Sequence, residues 1–247
     1  MDKNNNFCFC TLALGKPYRL QAKNLIEDLE RYASNYKVIV GTDYPSFLNN
    51  YSNVVAFPHK QKGTLHCYHD KRFAIEKSLE SFQAAIFTDS DARIVDKVPE
   101  DIAWPPGIST HTENLVEHVS KFPPNSLKNE KLASKLEIYL DKTEWIGEPY
   151  FLYQKMGQGN RIPGLSGSDW ALFRTKRSSC KNRGAMGLAA AKVGWETDDN
   201  VQWRNLYKVW KHLDASQQNK LRSPRNRRKR KLSLGYHLLL NQNRLTA

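Results

Sequence analysis

The sequence predicts an α/β domain, a mostly parallel sheet with helices on its faces. Three observations predict it. Apolar runs at 7–13, 36–43, 53–57 and 84–87 alternate with segments of helical periodicity, the pattern of strands joined by crossover helices. Turn-forming residues close the early runs: Gly15 and Pro17 after the first, Gly41 in the second, Pro58 after the third. A chain of 247 residues with 40% apolar and 11% aromatic residues can bury a substantial core, which excludes a disordered protein.

The elements follow in order. FCFCTLA (7–13) reads as a buried strand. From Tyr18 to Tyr32, Leu20, Leu25, Ile26 and Leu29 fall among charged residues, predicting an amphipathic helix. YKVIVGTD (36–43) and NVVAF (53–57) are the second and third strands. Phe73, Ile75, Leu79 and Phe82 predict a helix over 69–82, and AAIF (84–87) is the fourth strand. Further helices are expected over 128–141 and around 166–176, 183–193 and 200–213. Trp203, Leu206, Tyr207, Trp210 and Leu213 form a stripe at helical spacing, which reads as core. We expect one catalytic domain over 1–217, with a nucleotide-binding half (1–97) and an acceptor half (98–217), followed by a basic C-terminal arm over 218–247.

Charge is uneven. The chain carries a formal +13, yet the eight Lys and Arg from residue 222 onward, with no acid among them, leave only about +5 on residues 1–221. Seven of the ten residues in RSPRNRRKRK (222–231) are basic, and an apolar segment (232–240) follows. Such an arm suits three readings: contact through 222–240 with an anionic membrane, contact with a nucleic-acid backbone, or a solvated tail. No segment approaches 18 consecutive apolar residues, so a cytoplasmic location is expected, with the inner membrane face as the surface the arm would touch. Cys8 and Cys10 stand on a strand at a spacing that suits no common zinc site and read as packed thiols.

The fourth strand runs into Asp89-Ser90-Asp91. Burying either carboxylate unpaired costs several kcal/mol, so something positive should meet them: a Lys or Arg, a ring of backbone donors, or a metal ion. Extended backbone would put Asp89 and Asp91 on one side and Ser90 on the other. An all-oxygen hard site favours Mg²⁺ or Mn²⁺. Such an ion, held by one or two carboxylates and a substrate's phosphates, would offset the charge of a departing diphosphate. A lone D-x-D triplet is common by chance; its place at the carboxyl end of a strand, where α/β sheets bind ligands, gives it weight. Lys71 and Arg72 open the preceding helix, where they suit a phosphate, or stand as a solvated helix end.

Phe87-Thr88-Asp89-Ser90-Asp91 resembles the D-x-D segment of GT-A-type glycosyltransferases. FCTLALGKPYRLQAKNLIEDLERY, KVIVGTD and KRFAIEKSLESFQAAIFTDSD are similar to that family's nucleotide-binding half, and WIGEPYF (145–151) and RGAMGLAAAKVGW (183–195) to its acceptor half. One departure is Arg183 before Gly184, where the family often carries an acid. The resemblance implies a GT-A-like (Rossmann-like) mixed sheet and transfer of a sugar from a nucleotide-diphosphate sugar, with a UDP-sugar expected, to a glycan or lipid-linked acceptor. It implies Asp89 and Asp91 as ligands of Mn²⁺ or Mg²⁺. It places Thr11 and Tyr18 near the nucleotide base, and Lys71, Arg72, Asp89 and Ser90 on the nucleotide sugar.

Glu148, among Trp145, Tyr150 and Phe151, and Asp169, after Gly164 and Gly167, are the candidate catalytic carboxylates. Each has a structural alternative: Glu148 satisfying nearby donors, Asp169 as acid in a helix's first turn. Asp198 and Asp199 read as a helix cap, and His66 and His69 as loop residues. The competing functions are a nucleic-acid-binding protein with a structural D-x-D, and a D-x-D phosphatase, whose acidic pair would end the first strand rather than the fourth.

Overall fold

The computed structural model describes residues 6–62, 70–99, 105–121, 130, 133–134, 136–146, 150–154, 187–188, 190–192, 194, 197–199 and 201–213. Four parallel strands open the chain: β1 (Phe7–Ala13), β2 (Val38–Thr42), β3 (Val54–Pro58) and β4 (Ala84–Thr88). Helix α1 (Lys16–Tyr32) follows β1, and α2 (Lys71–Leu79) precedes β4. Later strands are β5 (Ala92–Ile94), β6 (Gly107–Ser109), β7 (Thr112–Asn114), β8 (Glu144–Ile146), β9 (Tyr150–Gln154), β10 (Thr197–Asp198) and β11 (Trp210–His212). Two further helices are α3 (Leu115–Ser120) and α4 (Val201–Lys208).

The main sheet has the order β10-β6-β9-β4-β1-β2-β3. Strand β9 is antiparallel to both neighbours, so the sheet is mixed but mostly parallel. Strand β1 sits between β2 and β4, in register from Phe9↔Val38 on one side and from Phe7↔Ala84 on the other. Strands β1, β2 and β4 are buried on both faces, whereas the edge strand β3 is partly exposed. Phe7, Phe9, Val38, Val40, Ala84 and Ile86 pack with Leu25, Ile26 and Leu29 of α1 and with Trp203, Leu206 and Trp210. The alternate residues Cys8, Cys10, Leu12, Ile39, Ala85 and Phe87 pack with Ala74, Ile75 and Leu79 of α2. Side chains of neighbouring strand residues project to opposite faces, so helices on both sides make every position apolar. That is why these strands are continuous apolar runs. A third cluster, Leu115, Val119, Ala133, Leu136, Trp145 and Leu188, lies outside these two layers.

Three expectations are corrected. The helix over 69–82 is confined to Lys71–Leu79; the N–H groups of Ser81 and Phe82 both bond to Ser78 O and close its last turn. Toward the end of the 128–141 segment, Glu137 takes φ 56°, a conformation that stops a helix. The helix expected over 200–213 ends at Lys208, and Trp210–His212 is a strand. The stripe therefore divides: Trp203, Leu206 and Trp210 are core, while Tyr207 and Leu213 are exposed. The segment around 166–176 and the basic arm lie outside the described residues. No described helix is long and apolar enough to cross a membrane.

Candidate functional site

The chain leaves β1 toward β2 and β3 and returns through α2 to β4 on the other side of β1. The strand order thus reverses between β1 and β4, and open α/β sheets bind ligands beyond the carboxyl ends of the strands at such a point. The loops at these strand ends each have a local cause. At the end of β1, Gly15 holds φ 91°, a value that only glycine adopts without strain. Its N–H donates to Asp43 Oδ1 at 3.0 Å, and Arg19 Nη1 donates to the same carboxylate at 2.6 Å. Partial burial would raise the Asp43 pKa, but the hydrogen bonds from Arg19 and Gly15 and the guanidinium charge hold it below the usual carboxylate range. Thr42 Oγ1 donates to Ala13 O at 2.8 Å and ties the same loop to β2.

At the end of β4 the D-x-D segment is a turn, closed by Ala92 N–H donating to Asp89 O at 3.0 Å. The expected pleat, with Asp89 and Asp91 sharing a side by alternation, does not form there. The turn brings them together instead. Ser90 is buried, while Asp89 and Asp91 are partly exposed.

The tertiary structure adds a third member. Strand β11 pairs antiparallel with β5, setting Trp210 opposite Ile94 and His212 opposite Ala92. Leu213 N–H donates to Asp91 O at 3.2 Å. Trp210 anchors the ribbon: it is buried, lies 5.7 Å from the Phe9 ring, and its indole N–H donates to Thr88 Oγ1 at 3.1 Å. His212 Nε2 consequently lies 3.4 Å from Asp91 Oδ1. Asp89, Asp91 and His212 each present a ligand atom within 4.8 Å of the others. No local motif ties His212 to the acidic turn, and the helical reading of 200–213 turned it away from any site.

This set fits a divalent ion. Ligand atoms around a cation with bonds of about 2.1 Å lie about 3 to 4.2 Å apart, and the 3.4 Å between His212 Nε2 and Asp91 Oδ1 falls in that range. Two carboxylates and an imidazole keep the hard-oxygen character expected from the sequence and add one nitrogen, which suits Mn²⁺ better than Mg²⁺.

A side chain also meets the pair. Lys71 Nζ stands 2.8 Å from Asp89 Oδ1, and the lysine side chain is only 10% exposed. Its ammonium lies 5.1 Å from the centre of the Phe87 ring. Lys71 is placed by the residue before it. Asp70 is buried, and its Oδ2 accepts the Lys62 N–H at 2.6 Å and lies 3.0 Å from His59 Nε2. Arg72 lies over the Phe73 ring at 4.5 Å.

Among the other predicted residues, Tyr18 is exposed on the first turn of α1. Thr11 lies within β1, fully buried, and its hydroxyl has no hydrogen-bond partner among the described residues. Glu148, Asp169, His66 and His69 lie outside the described residues. Trp145, near Glu148 in sequence, is buried and stacked on His118 at 4.1 Å. Asp199 accepts from Arg204 Nε at 3.1 Å, a bond within the start of α4. Cys8 and Cys10 are free, buried thiols; burial pushes the Cys8 pKa up to about 12 and that of Cys10 well above its usual value.

A mostly parallel sheet wound outward from β1, one antiparallel strand inserted beside β4, and an acidic turn at the end of β4 define a GT-A-like fold. Solved structures agree. The chain is similar to the bifunctional glycosyltransferase WbbM in its apo structure, with a TM-score of 0.54 and 11% identity over 85% of this chain and 46% of that one. It also matches the galactosyltransferase LgtC in complex with donor and acceptor sugar analogs, with a TM-score of 0.41 and 9% identity over 59% of this chain and 57% of that one. The chain thus spans roughly half the length of each of these two structures. At 11% identity the likeness to WbbM bears on the fold alone. No protein-family model and no curated protein matches the sequence.

Proposed function

We propose that the chain is a metal-dependent glycosyltransferase that transfers a sugar from a nucleotide-diphosphate sugar, a UDP-sugar in the first instance, to a glycan or lipid-linked acceptor. The observation that carries this reading is the Asp89, Asp91 and His212 cluster at the carboxyl end of β4 in a GT-A-like fold. A fold alone hosts many activities, so the reading rests on the site. Bound Mn²⁺ or Mg²⁺ would supply Lewis-acid neutralisation of the departing diphosphate. The protein's own groups do the rest. Asp89, Asp91 and His212 hold the ion, and Lys71 and Arg72 offer positive charge where phosphate would lie. Tyr18, at the start of α1 beside the β1 loop, would meet the base in this reading. Glu148 and Asp169 remain the candidate carboxylates on the acceptor side. The arm over 222–240 would bring the enzyme to an anionic membrane carrying a lipid-linked acceptor.

The test is a thermal-shift screen of nucleotide sugars with and without Mn²⁺, followed by transfer assays on Asp91→Asn. One nucleotide base should stabilise the protein, and only with metal present. Asp91→Asn should fold normally and lose more than about 100-fold in transfer, since changes even around a metal's direct ligands cost 10–100-fold. Full activity in that variant would overturn the reading.

A further inference from the structure

Lys71 stands where the fold needs a cation. Its ammonium is 2.8 Å from Asp89 Oδ1, its side chain is nearly buried, and the Phe87 ring lies 5.1 Å away. The backbone next to it is fixed as well, because Asp70 is bound by the Lys62 N–H and lies against His59, both within 3.0 Å. The Lys71–Asp89 pair is therefore a built contact. It is also incompatible with full use of Asp89 as a metal ligand. A divalent ion among Asp89, Asp91 and His212 would sit within a few ångströms of a fixed positive charge, in a partly desolvated rim where like charges repel strongly.

We infer that Lys71 is a latch that holds the metal site closed until the donor arrives, so that metal and nucleotide sugar enter as a coupled pair. The inference rests on the glycosyltransferase reading above. In the free protein the ammonium occupies one oxygen of Asp89 and weakens metal binding. An incoming diphosphate offers the ammonium new oxygens, draws it from Asp89, and frees that carboxylate for the ion. The donor's negative charge thus does two things: it takes the lysine and it completes the ligand shell. By linkage, the metal strengthens nucleotide binding by the same factor as the nucleotide strengthens metal binding. The latch keeps the acidic turn from filling with an ion when no donor is present.

The test measures free Mn²⁺ by electron paramagnetic resonance with full-length protein, with and without UDP, for the wild type, Lys71→Met, Lys71→Arg and Asp89→Asn. Met keeps the length and apolar stem of lysine without its charge, and Arg keeps the charge. Without UDP, Lys71→Met should bind Mn²⁺ at least about tenfold more tightly than the wild type, the effect of removing a unit charge about 4 Å from a divalent ion even at a water-like dielectric. Lys71→Arg should stay as weak as the wild type. UDP should tighten Mn²⁺ binding in the wild type and add little in Lys71→Met. If Asp89→Asn abolishes binding while Lys71→Met matches the wild type, the latch is wrong and the metal-site reading stands. Unchanged UDP coupling in Lys71→Met likewise overturns the hand-over. If neither the wild type nor Lys71→Met binds Mn²⁺ with or without UDP, the donor-site reading falls and takes the latch with it.

Discussion

Replacing Trp210 should damage stability and metal binding together, because one side chain serves both. Its ring is buried in the core shared by β1, β4 and α1, and its indole N–H is the donor to Thr88 Oγ1. Truncating a buried Trp to Ala costs about 3–5 kcal/mol, from lost burial and an imperfectly closed cavity. Trp210→Phe keeps most of the ring and loses chiefly the hydrogen bond, about 1 kcal/mol. A domain with about 5–15 kcal/mol of stability keeps Trp210→Phe folded and leaves Trp210→Ala marginal but measurable in the cold. The functional consequence is specific. Strand β11 is three residues long and, among the described residues, pairs only with β5, so losing its anchor frees it from Asp91 and removes His212 from the ligand set. Mn²⁺ affinity, measured in the presence of UDP at low temperature, should fall in Trp210→Ala to the level of His212→Ala. The double variant should be no weaker than either single one, a non-additivity that marks two residues acting through one contact. Full metal affinity in Trp210→Ala, with the chain folded, would refute the claim that β11 carries His212 to the site.

Three further predictions concern the frame of the site. The folded-state pKa of Asp43 is depressed, so its contribution is present above the unfolded value of about 3.9 and is lost as pH falls through the lower folded value; urea midpoints should drop more steeply below pH 4 for the wild type than for Asp43→Asn, and parallel slopes would contradict this. With a Cys8 pKa of about 12, Cys8 and Cys10 should resist iodoacetamide at neutral pH until the protein unfolds; peptide mass spectra showing their rapid native labelling would mean that β1 is not buried as described. A Cβ at Gly187 would stand 1.7 Å from the Glu144 carbonyl oxygen, so Gly187→Ala should cost about 1–3 kcal/mol and lower the melting temperature by several degrees; an unchanged melt would show that this contact can relax freely.

Much of the fold is legible in the chain itself. The four parallel strands match the apolar runs to within two residues, with β1 at 7–13 as expected. Burial on both faces writes itself into sequence as an uninterrupted apolar run, and the alternating core membership of Phe7, Cys8, Phe9 and Cys10 shows the cause. The acidic pair was equally readable, because carboxylates straight after such a run demand a counter-charge. The late segments were harder. VWKHL reads as the tail of the preceding helix because Trp210 lies on the same periodic stripe as Trp203 and Leu206. Nothing local says that Trp210 reaches the core from a strand.

Sequence alone determined that a sheet strand ends in two carboxylates with basic residues at the start of the helix before it. Only the tertiary structure decided who answers those carboxylates. A lysine from α2 takes Asp89, and a histidine from the far end of the described chain reaches Asp91, because β11 finds its partner in β5. The reason is physical. Strand burial and chain breaks depend on neighbours along the sequence, whereas a charge is satisfied by whichever group the packing of the whole core carries within about 3 Å of it.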